Sequence, residues 1–281
     1  MKISVIIPIY NAALFLEECL ISVLNQRPHQ IICVNDGSTD NSMEIVRQLQ
    51  SEYSRANWVI IEQQNRGLGA ARNAGLSKAD GDYVAWLDAD DIYTEKTFNR
   101  LTNVLADNPP WIVWSATEIN EVGQRRNRFW KTVENIRDLL LNGNPYLPSA
   151  CMLRLDVAQN HPFSEDRSFH GAEDFELWYR LFNANIRPTH VHQRLTIYRV
   201  HSSAMSQQLD DHLARVFRVL ESLSLPPHLL TLTKKRKYYE VARTLHRRGM
   251  HRLAIKYYLR CRWWYPKTLA LMFFNLFRVN V

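Results

Sequence analysis

The feature that most limits what this chain can become is an alternation of short apolar runs with helical segments through its first hundred or so residues. Ile3-Ser4-Val5-Ile6-Ile7 is a nearly continuous β-branched run, the pattern of a parallel strand covered on both faces. It stops at Pro8-Ile9-Tyr10-Asn11, after which Leu16, Cys19, Leu20, Val23 and Leu24 fall on one helical face. A second strand, Ile31–Val34, ends in Asn35-Asp36-Gly37-Ser38-Thr39-Asp40 and leads to a helix carrying Ile45, Val46 and Leu49. The third, Trp58–Ile61, precedes a polar loop and the small-residue helix Gly69-Ala70-Ala71-Arg72-Asn73-Ala74. The fourth, Tyr83 to Leu87, runs into Asp88-Ala89-Asp90-Asp91. Repeated units of this length predict an α/β fold with a mostly parallel sheet flanked by helices, whose ligands lie beyond the carboxyl ends of the strands. Tyr10, Asp36, the 65–72 loop and Asp88 all fall at those ends.

Three carboxylates in four residues repel one another; two unit charges about 4 Å apart cost roughly 4 kcal/mol at an effective dielectric near 20. Taken alone the run reads first as a solvated acidic cap with an Asp at a helix N-cap, and as a cation site only if other segments bring nucleotide-binding and catalytic groups to the same place. A dinucleotide-binding dehydrogenase would place its glycine fingerprint after the first strand, where this chain has Pro8-Ile9-Tyr10-Asn11. The G-x-G at Gly67-Leu68-Gly69 follows the third strand and reads as a turn entering a helix.

Further along, a helix is expected over 94–106, a strand over 111–117, a helix near 136–141 and a strand over 150–155. The basic run Arg125 to Lys131, with Phe129 and Trp130 within it, reads as an exposed hairpin face or as an acceptor or phosphate contact. In Gly171-Ala172-Glu173-Asp174-Phe175-Glu176-Leu177-Trp178, the spacing predicts a helix with Glu173 and Asp174 at its N-terminus. Its dipole favours negative charge there, and a carboxylate fixed on a rigid element also suits a general base. A short strand over 195–200 then leads into the polar loop of His201 to Ser206, where His201 is a candidate metal or phosphate ligand.

With Val5 to Asn11, Val34 to Asp40, Asn65-Arg66-Gly67 with Ala71-Arg72-Asn73, Leu87 to Asp91, and Glu173-Asp174 with Leu177-Trp178 in series, residues 1 to about 206 resemble the family-2 inverting glycosyltransferases of GT-A fold. The resemblance implies that Pro8, Tyr10 and Asp36 line a nucleotide-base site bordered by Asn11, Asn65 and Gly67. It implies that Asp36 accepts the imide N–H of a uracil or thymine and that Arg72 reaches the base or ribose. Asp88 would hold the ribose or sugar, Asp90, with Asp88, would bind Mn²⁺ or Mg²⁺, Glu173 and His201 would adjoin the donor, and Asp174 would be the general base. A sugar would pass from a nucleotide-sugar, UDP-linked by preference, to a hydroxyl of a glycan or lipid-linked acceptor, as in lipopolysaccharide, O-antigen or capsule synthesis. A sugar-phosphate nucleotidyltransferase and a nucleotide-sugar-binding scaffold stand as alternatives.

Composition matters most at the end of the chain. Residues 230–281 hold 13 Lys or Arg against the single acid Glu240, a net charge of +12, whereas 22 basic and 27 acidic residues leave positions 1–229 at −5. This predicts a GT-A domain over 1–208 and a basic, aromatic-rich helical extension over 209–281, with two helices from Tyr238 whose Ala242, Leu245, Gly249, Ala254 and Tyr257 resemble a tetratricopeptide-like pair. Its cations, with Trp263, Trp264, Tyr265 and the apolar run Leu269 to Phe277, suit a helix lying on an anionic inner leaflet. Docking of that face on the catalytic domain is the competing reading, and nucleic acid is not an expected partner. No secretory signal is evident and Leu269 to Phe277 is about half the roughly 20 residues a spanning helix needs, so the expected location is cytoplasmic, peripheral on the inner membrane. The four scattered cysteines read as reduced, buried thiols.

Overall fold

The computed structural model describes residues 1–128, 133–142, 144–201 and 209–261. In chain order the strands are β1 (Ile3–Ile9), β2 (Gln30–Asn35), β3 (Trp58–Glu62), β4 (Tyr83–Trp86), β5 (Ile92–Tyr93), β6 (Trp111–Asn120), β7 (Arg125–Arg128), β8 (Cys151–Arg154) and β9 (Thr189–Val200). Among the described residues the helices are α1 (Ala13–Leu24), α2 (Ser42–Glu52), α3 (Leu68–Leu76), α4 (Thr97–Ala106), α5 (Ile136–Asn142), α6 (Leu155–Asn160), α7 (Glu173–Asn183), α8 (Leu209–Ser222), α9 (Pro227–Arg247) and α10 (His251–Arg260). One sheet runs β3-β2-β1-β4-β8-β6-β9-β5, with β7 added beside β6. β1 to β4 are mutually parallel, β8 lies antiparallel between β4 and β6, and β9 runs parallel to β6. The carboxyl ends of β1, β2, β3, β4, β6 and β9 therefore open on the same side, where the candidate residues collect.

Alternation along the buried strands sends successive residues to opposite faces. Ile6, Val34, Val84, Trp86, Trp111 and Val113 build one core layer with α3, α7 and α8, while Val5, Ile7, Cys33, Ala85, Ile112 and Trp114 build the other with α1, α2 and α4. Gly75 lets α3 lie close on the sheet. A Cβ on Gly75 would sit 2.4 Å from Ile6 Cγ2 and 3.2 Å from Val34 Cγ2.

Three expected boundaries differ. α4 starts at Thr97 rather than near 94 because Ile92-Tyr93 is drawn into the sheet against β9 and Lys96 adopts a left-handed φ of 57°. β9 begins six residues before Leu195; its first half carries exposed His192, Gln193 and Arg194, which hide the strand pattern, and its register against β6 shifts near Trp114 and Ser115. The C-terminal helices begin well before Tyr238. Val216, Val219 and Leu220 of α8, with Leu223 just beyond it, join the core layer that contains Trp178, whereas Leu213, Val241, Ala242, Leu245, Ala254, Tyr257 and Tyr258 form a small separate cluster of α8, α9 and α10. Trp263 to Phe277 and most of the loop after His201 lie outside the described residues, as do Phe129 to Lys131 of the basic run. All four cysteines are free and buried.

Gly75→Ala should lower the urea midpoint by the equivalent of ~1–3 kcal/mol, because the new methyl meets a packed core. An increase, as the better helix propensity of alanine by itself would produce, would show that α3 can lift from the sheet.

Candidate active site

The first wall of the cleft is the clipped pair of loops after β1 and β2. Asn11, at φ 49°, receives the Thr39 N–H on its Oδ1 at 2.8 Å and donates its own N–H to Ser38 Oγ at 3.1 Å. Asp40 Oδ2 accepts the Ala13 N–H at 2.9 Å. Pro8 is buried within β1, and Tyr10 at its end is 54% exposed, offering a bare aromatic face. Asp36 is only 4% exposed. Its Oδ1 accepts from Gln63 Nε2 at 2.7 Å and the Arg66 N–H at 2.8 Å, and its Oδ2 accepts the Gly67 N–H at 2.9 Å. The 65–67 turn is thus folded around Asp36, helped by the φ of 92° at Gly67. With about four acceptor positions on a carboxylate, Asp36 retains room for one further donor. Asn65 is exposed and accepts from Arg167 at 2.7 Å; Arg66 pairs with Glu165 at 2.7 Å.

The centre is Arg72, 1% exposed on α3. Its Nη2 meets Asp88 Oδ1 at 2.7 Å, its Nη1 meets Glu173 Oε1 at 2.8 Å, and its guanidinium carbon stands 4.9 Å from the Phe163 ring centroid. Burial works against its charge, but Asp88 and Glu173 outweigh this and hold the guanidinium protonated above its ordinary range. This differs from the expected reach to a base or ribose: both ends of the fork are used on carboxylates, and Arg72 orients the residues around it. Glu173, 3% exposed, also accepts the Gly171 N–H at 2.5 Å, so its carboxylate is spent inside the protein.

The three aspartates after β4 separate by environment. Asp88, its N–H on Ser149 Oγ at 3.0 Å, and Asp90, whose Oδ2 lies 2.9 Å from His201 Nε2, keep side-chain exposures of 28% and 30%. Asp91 is buried and its Oδ1 accepts the Arg199 N–H at 3.0 Å, which turns it away from the cleft. Burial, then the neighbouring aspartates, push the Asp91 carboxyl well up; burial and Asp88 likewise raise Asp90, against the pull of His201. His201 rests on Phe15 at 4.7 Å between ring centroids. Among the described residues no three His, Cys, Asp or Glu side chains form a closed metal cage. Asp88 and Asp90 remain as carboxylates that could hold Mn²⁺ or Mg²⁺, since such ions take one or two carboxylates and complete their shell with water and substrate phosphates.

Asp174 stands in the first turn of α7, its Oδ1 accepting the Phe175 N–H at 2.7 Å and its Oδ2 accepting Asn144 Nδ2 at 2.6 Å. Burial and then Glu173 push its carboxyl up to about 7, with Arg72, Asn144 and the Phe175 N–H opposing. The sequence reading missed Gln63, Ser149, Asn144, Arg199 and the 163–167 segment. Gln63 and Arg199 adjoin recognised motifs; Ser149 and Asn144 sit in a Pro-flanked connection with no local signal.

The profile of glycosyl transferase family 2 matches residues 4–159. Glycosyltransferase GlyA of Streptococcus pneumoniae is 41% identical over 112 residues, covering 38% of this chain and 16% of that protein. An uncharacterised glycosyltransferase of Rickettsia conorii is 30% identical over 223 residues, 75% of this chain and 36% of that protein. A poly(ribitol-phosphate) β-glucosyltransferase of Bacillus spizizenii is 36% identical over 139 residues, 47% of this chain and 22% of the other. The chain thus spans well under half the length of these relatives. Among solved structures, S. aureus TarS residues 1–349 superposes with a TM-score of 0.64 at 19% identity, covering 87% of this chain and 73% of that one. A Pyrobaculum calidifontis mannosyltransferase, solved with GDP-Man and Mn²⁺, gives 0.62 at 17% identity over 99% and 85% of the two chains. These likenesses carry the GT-A fold.

Arg72→Met should destabilise the protein by about 3–5 kcal/mol, because it strands Asp88 and Glu173 without their shared cation. Chemical denaturation checks this; a loss below about 1 kcal/mol, the scale of an exposed ion pair, would mean the bridge is not buried in solution.

Proposed function

The chain belongs to glycosyl transferase family 2, and from that premise we propose that it transfers a sugar from a nucleotide-sugar, UDP-linked by preference, to a hydroxyl of a glycan or lipid-linked acceptor with inversion. The observation that carries the reading is the Arg72 bridge. It ties Asp88, at the Asp90–His201 end of the cleft, to Glu173, the neighbour of Asp174 at the other end.

In this reading Tyr10, Asn11, Asn65, Gly67 and Asp36 receive the nucleotide base, with Pro8 beneath them. Asp88 and Asp90, with His201, hold the diphosphate end and a divalent ion, which when bound would offset the charge of the departing nucleoside diphosphate. Asp174 takes the proton of the acceptor hydroxyl as its oxygen attacks the anomeric carbon, and the bond from that carbon to the diphosphate oxygen breaks on the opposite face. Single displacement gives inversion. A carboxyl pushed up to about 7 is a better proton acceptor than an ordinary aspartate while still ionising near neutrality.

Residues 1–208 are the catalytic unit in this proposal, and 209–281 a helical extension that both braces it and presents cations to an anionic membrane surface on the cytoplasmic side. No described helix is long and apolar enough to cross a membrane. Lys237 is buried and lies 5.1 Å from the Phe175 ring centroid, Arg236 Nε donates to the Leu141 carbonyl at 2.9 Å, and Lys234 pairs with Glu221. Among the described residues, the exposed cations of this region include Arg247, Arg252, Lys256 and Arg260.

Nucleoside diphosphate release from UDP-, GDP- and dTDP-sugars with Mn²⁺ tests the reaction; Asp174→Asn and Asp90→Ala should each lose at least ~100-fold, the scale of a general base or a charge-stabilising group. Turnover at the parental rate in either variant would remove that residue from its role. Because the base acts ionised, kcat/KM should climb as pH rises through about 7 and then level. The same raised value means that the native fold favours the protonated form. Its stabilising contribution is complete below the unfolded value near 4 and fades as pH rises through about 7, so Asp174→Asn should flatten the fall in melting temperature across that window. Replacing Arg252 and Lys256 together with Glu should shift the protein from the pellet to the supernatant of phosphatidylglycerol-containing liposomes; unchanged pelleting would exclude this face as the anchor.

A further inference from the structure

We propose that Asn144 is the positioning residue of the Asp174 carboxylate, holding it in the orientation and ionised state that proton removal from an acceptor requires. The inference rests on Asp174 being the base. Its carboxylate is gripped from two directions: Oδ1 by the Phe175 N–H of its own helix at 2.7 Å, and Oδ2 by Asn144 Nδ2 at 2.6 Å, from a segment 30 residues earlier. A lone helix-terminal aspartate can rotate about its side-chain bonds; one with both oxygens engaged by donors on separate elements cannot do so freely.

Asn144 is itself held by the framework that carries Asp174. Two residues on, Tyr146 is 1% exposed and packs edge-on against Trp111 at 5.1 Å and Trp178 at 6.3 Å, and Trp178 is one turn beyond Asp174 on α7. On the other side, Arg236 of α9 donates to the Leu141 carbonyl at the end of α5. The amide and the carboxylate are therefore registered through one aromatic cluster. Among the described residues Asn144 Oδ1 is buried with no hydrogen-bond partner, so the contact this amide makes is the one from its nitrogen to Asp174. The assignment of the amide nitrogen to Asp174 follows from the chemistry, because an ionised carboxylate only accepts.

The charged and titratable groups acting on Asp174 are Glu173 beside it on α7, Arg72 from α3 and the Cys151 thiol from β8. Against Glu173 and the buried thiol, Arg72, the Asn144 amide and the Phe175 N–H favour ionisation; of the side chains among these, Asn144 is the one that hydrogen-bonds the carboxylate. Removing a hydrogen bond to the charged form raises a carboxyl's pKa.

The experiment is a carboxyl ¹³C titration of the full-length protein labelled at aspartate, with the Asp174 resonance assigned by its loss in Asp174→Asn. Asn144→Ala should move the Asp174 midpoint upward by roughly one pH unit, and the isosteric Asn144→Asp, which replaces a donor by a second carboxyl, should move it further. The acidic limb of UDP release from UDP-GlcNAc or UDP-glucose with Mn²⁺ should shift by the same amount. An unmoved midpoint in whichever variant folds overturns the proposal. If the midpoint moves but Asp174→Asn still turns over the donor at the parental rate, the positioning contact stands as structure while the base reading fails.

Discussion

The interaction that joins the two ends of the candidate site is one buried cation, Arg72, held between Asp88 and Glu173. Arg72 lies in the interior of a helix rich in alanine and glycine, and an unpaired guanidinium there would cost several kcal/mol in desolvation. Asp88 and Glu173 remove that cost from opposite sides. In doing so they fix the end of β4 to the start of α7, two elements more than eighty residues apart in the chain. The Phe163 ring closes over the guanidinium, and the 163–167 segment is in turn pinned to α3 by Asn73 and to the 65–67 turn by Arg66 and Arg167. One ion-pair triad thus sets the distance between the two ends of the cleft.

The same arrangement places stability and chemistry in opposition at Asp174. Burial and Glu173 favour the protonated carboxyl, while proton abstraction needs the ionised one. Arg72 and Asn144 offset part of that preference, leaving a group that titrates near neutrality. A similar tension holds at Asp88 and Asp90, where neighbouring carboxylates are tolerated because Arg72 and His201 each engage one of them and because both keep some access to solvent. Asp91 has no such access and serves the backbone of Arg199 instead.

The C-terminal helices show how charge density misleads when read without contacts. The Lys234-Lys235-Arg236-Lys237 run is the densest positive stretch of the chain, yet Lys234 pairs with a glutamate, Arg236 donates to a helix-terminal carbonyl and Lys237 lies buried over an aromatic ring. These are contacts that an aliphatic stem with a charged tip makes well: the stem covers apolar surface while the tip reaches a partner. α8 belongs to the main core through Val216, Val219 and Leu220, so the helical region is joined to the sheet rather than suspended from it.

The sequence by itself determined the alternating strands and helices of the first half, because period-2 and period-3.6 apolar patterns are local and β1, β2 and β4 are buried on both faces. It also determined that Tyr10, Asp36, the 65–72 loop and Asp88 meet at one edge, since parallel strands must end on the same side. The polar first half of β9 escaped, because a strand whose side chains face solvent carries no apolar signature. Only the tertiary structure decided what each charge does. Arg72 became a buried bridge, Glu173 its anchor, Asp91 a backbone clamp and Asn144 the partner of Asp174 through contacts between residues distant in sequence. The role of a charged group is set by its burial and by the distance to its partner, and neither is written in the local pattern.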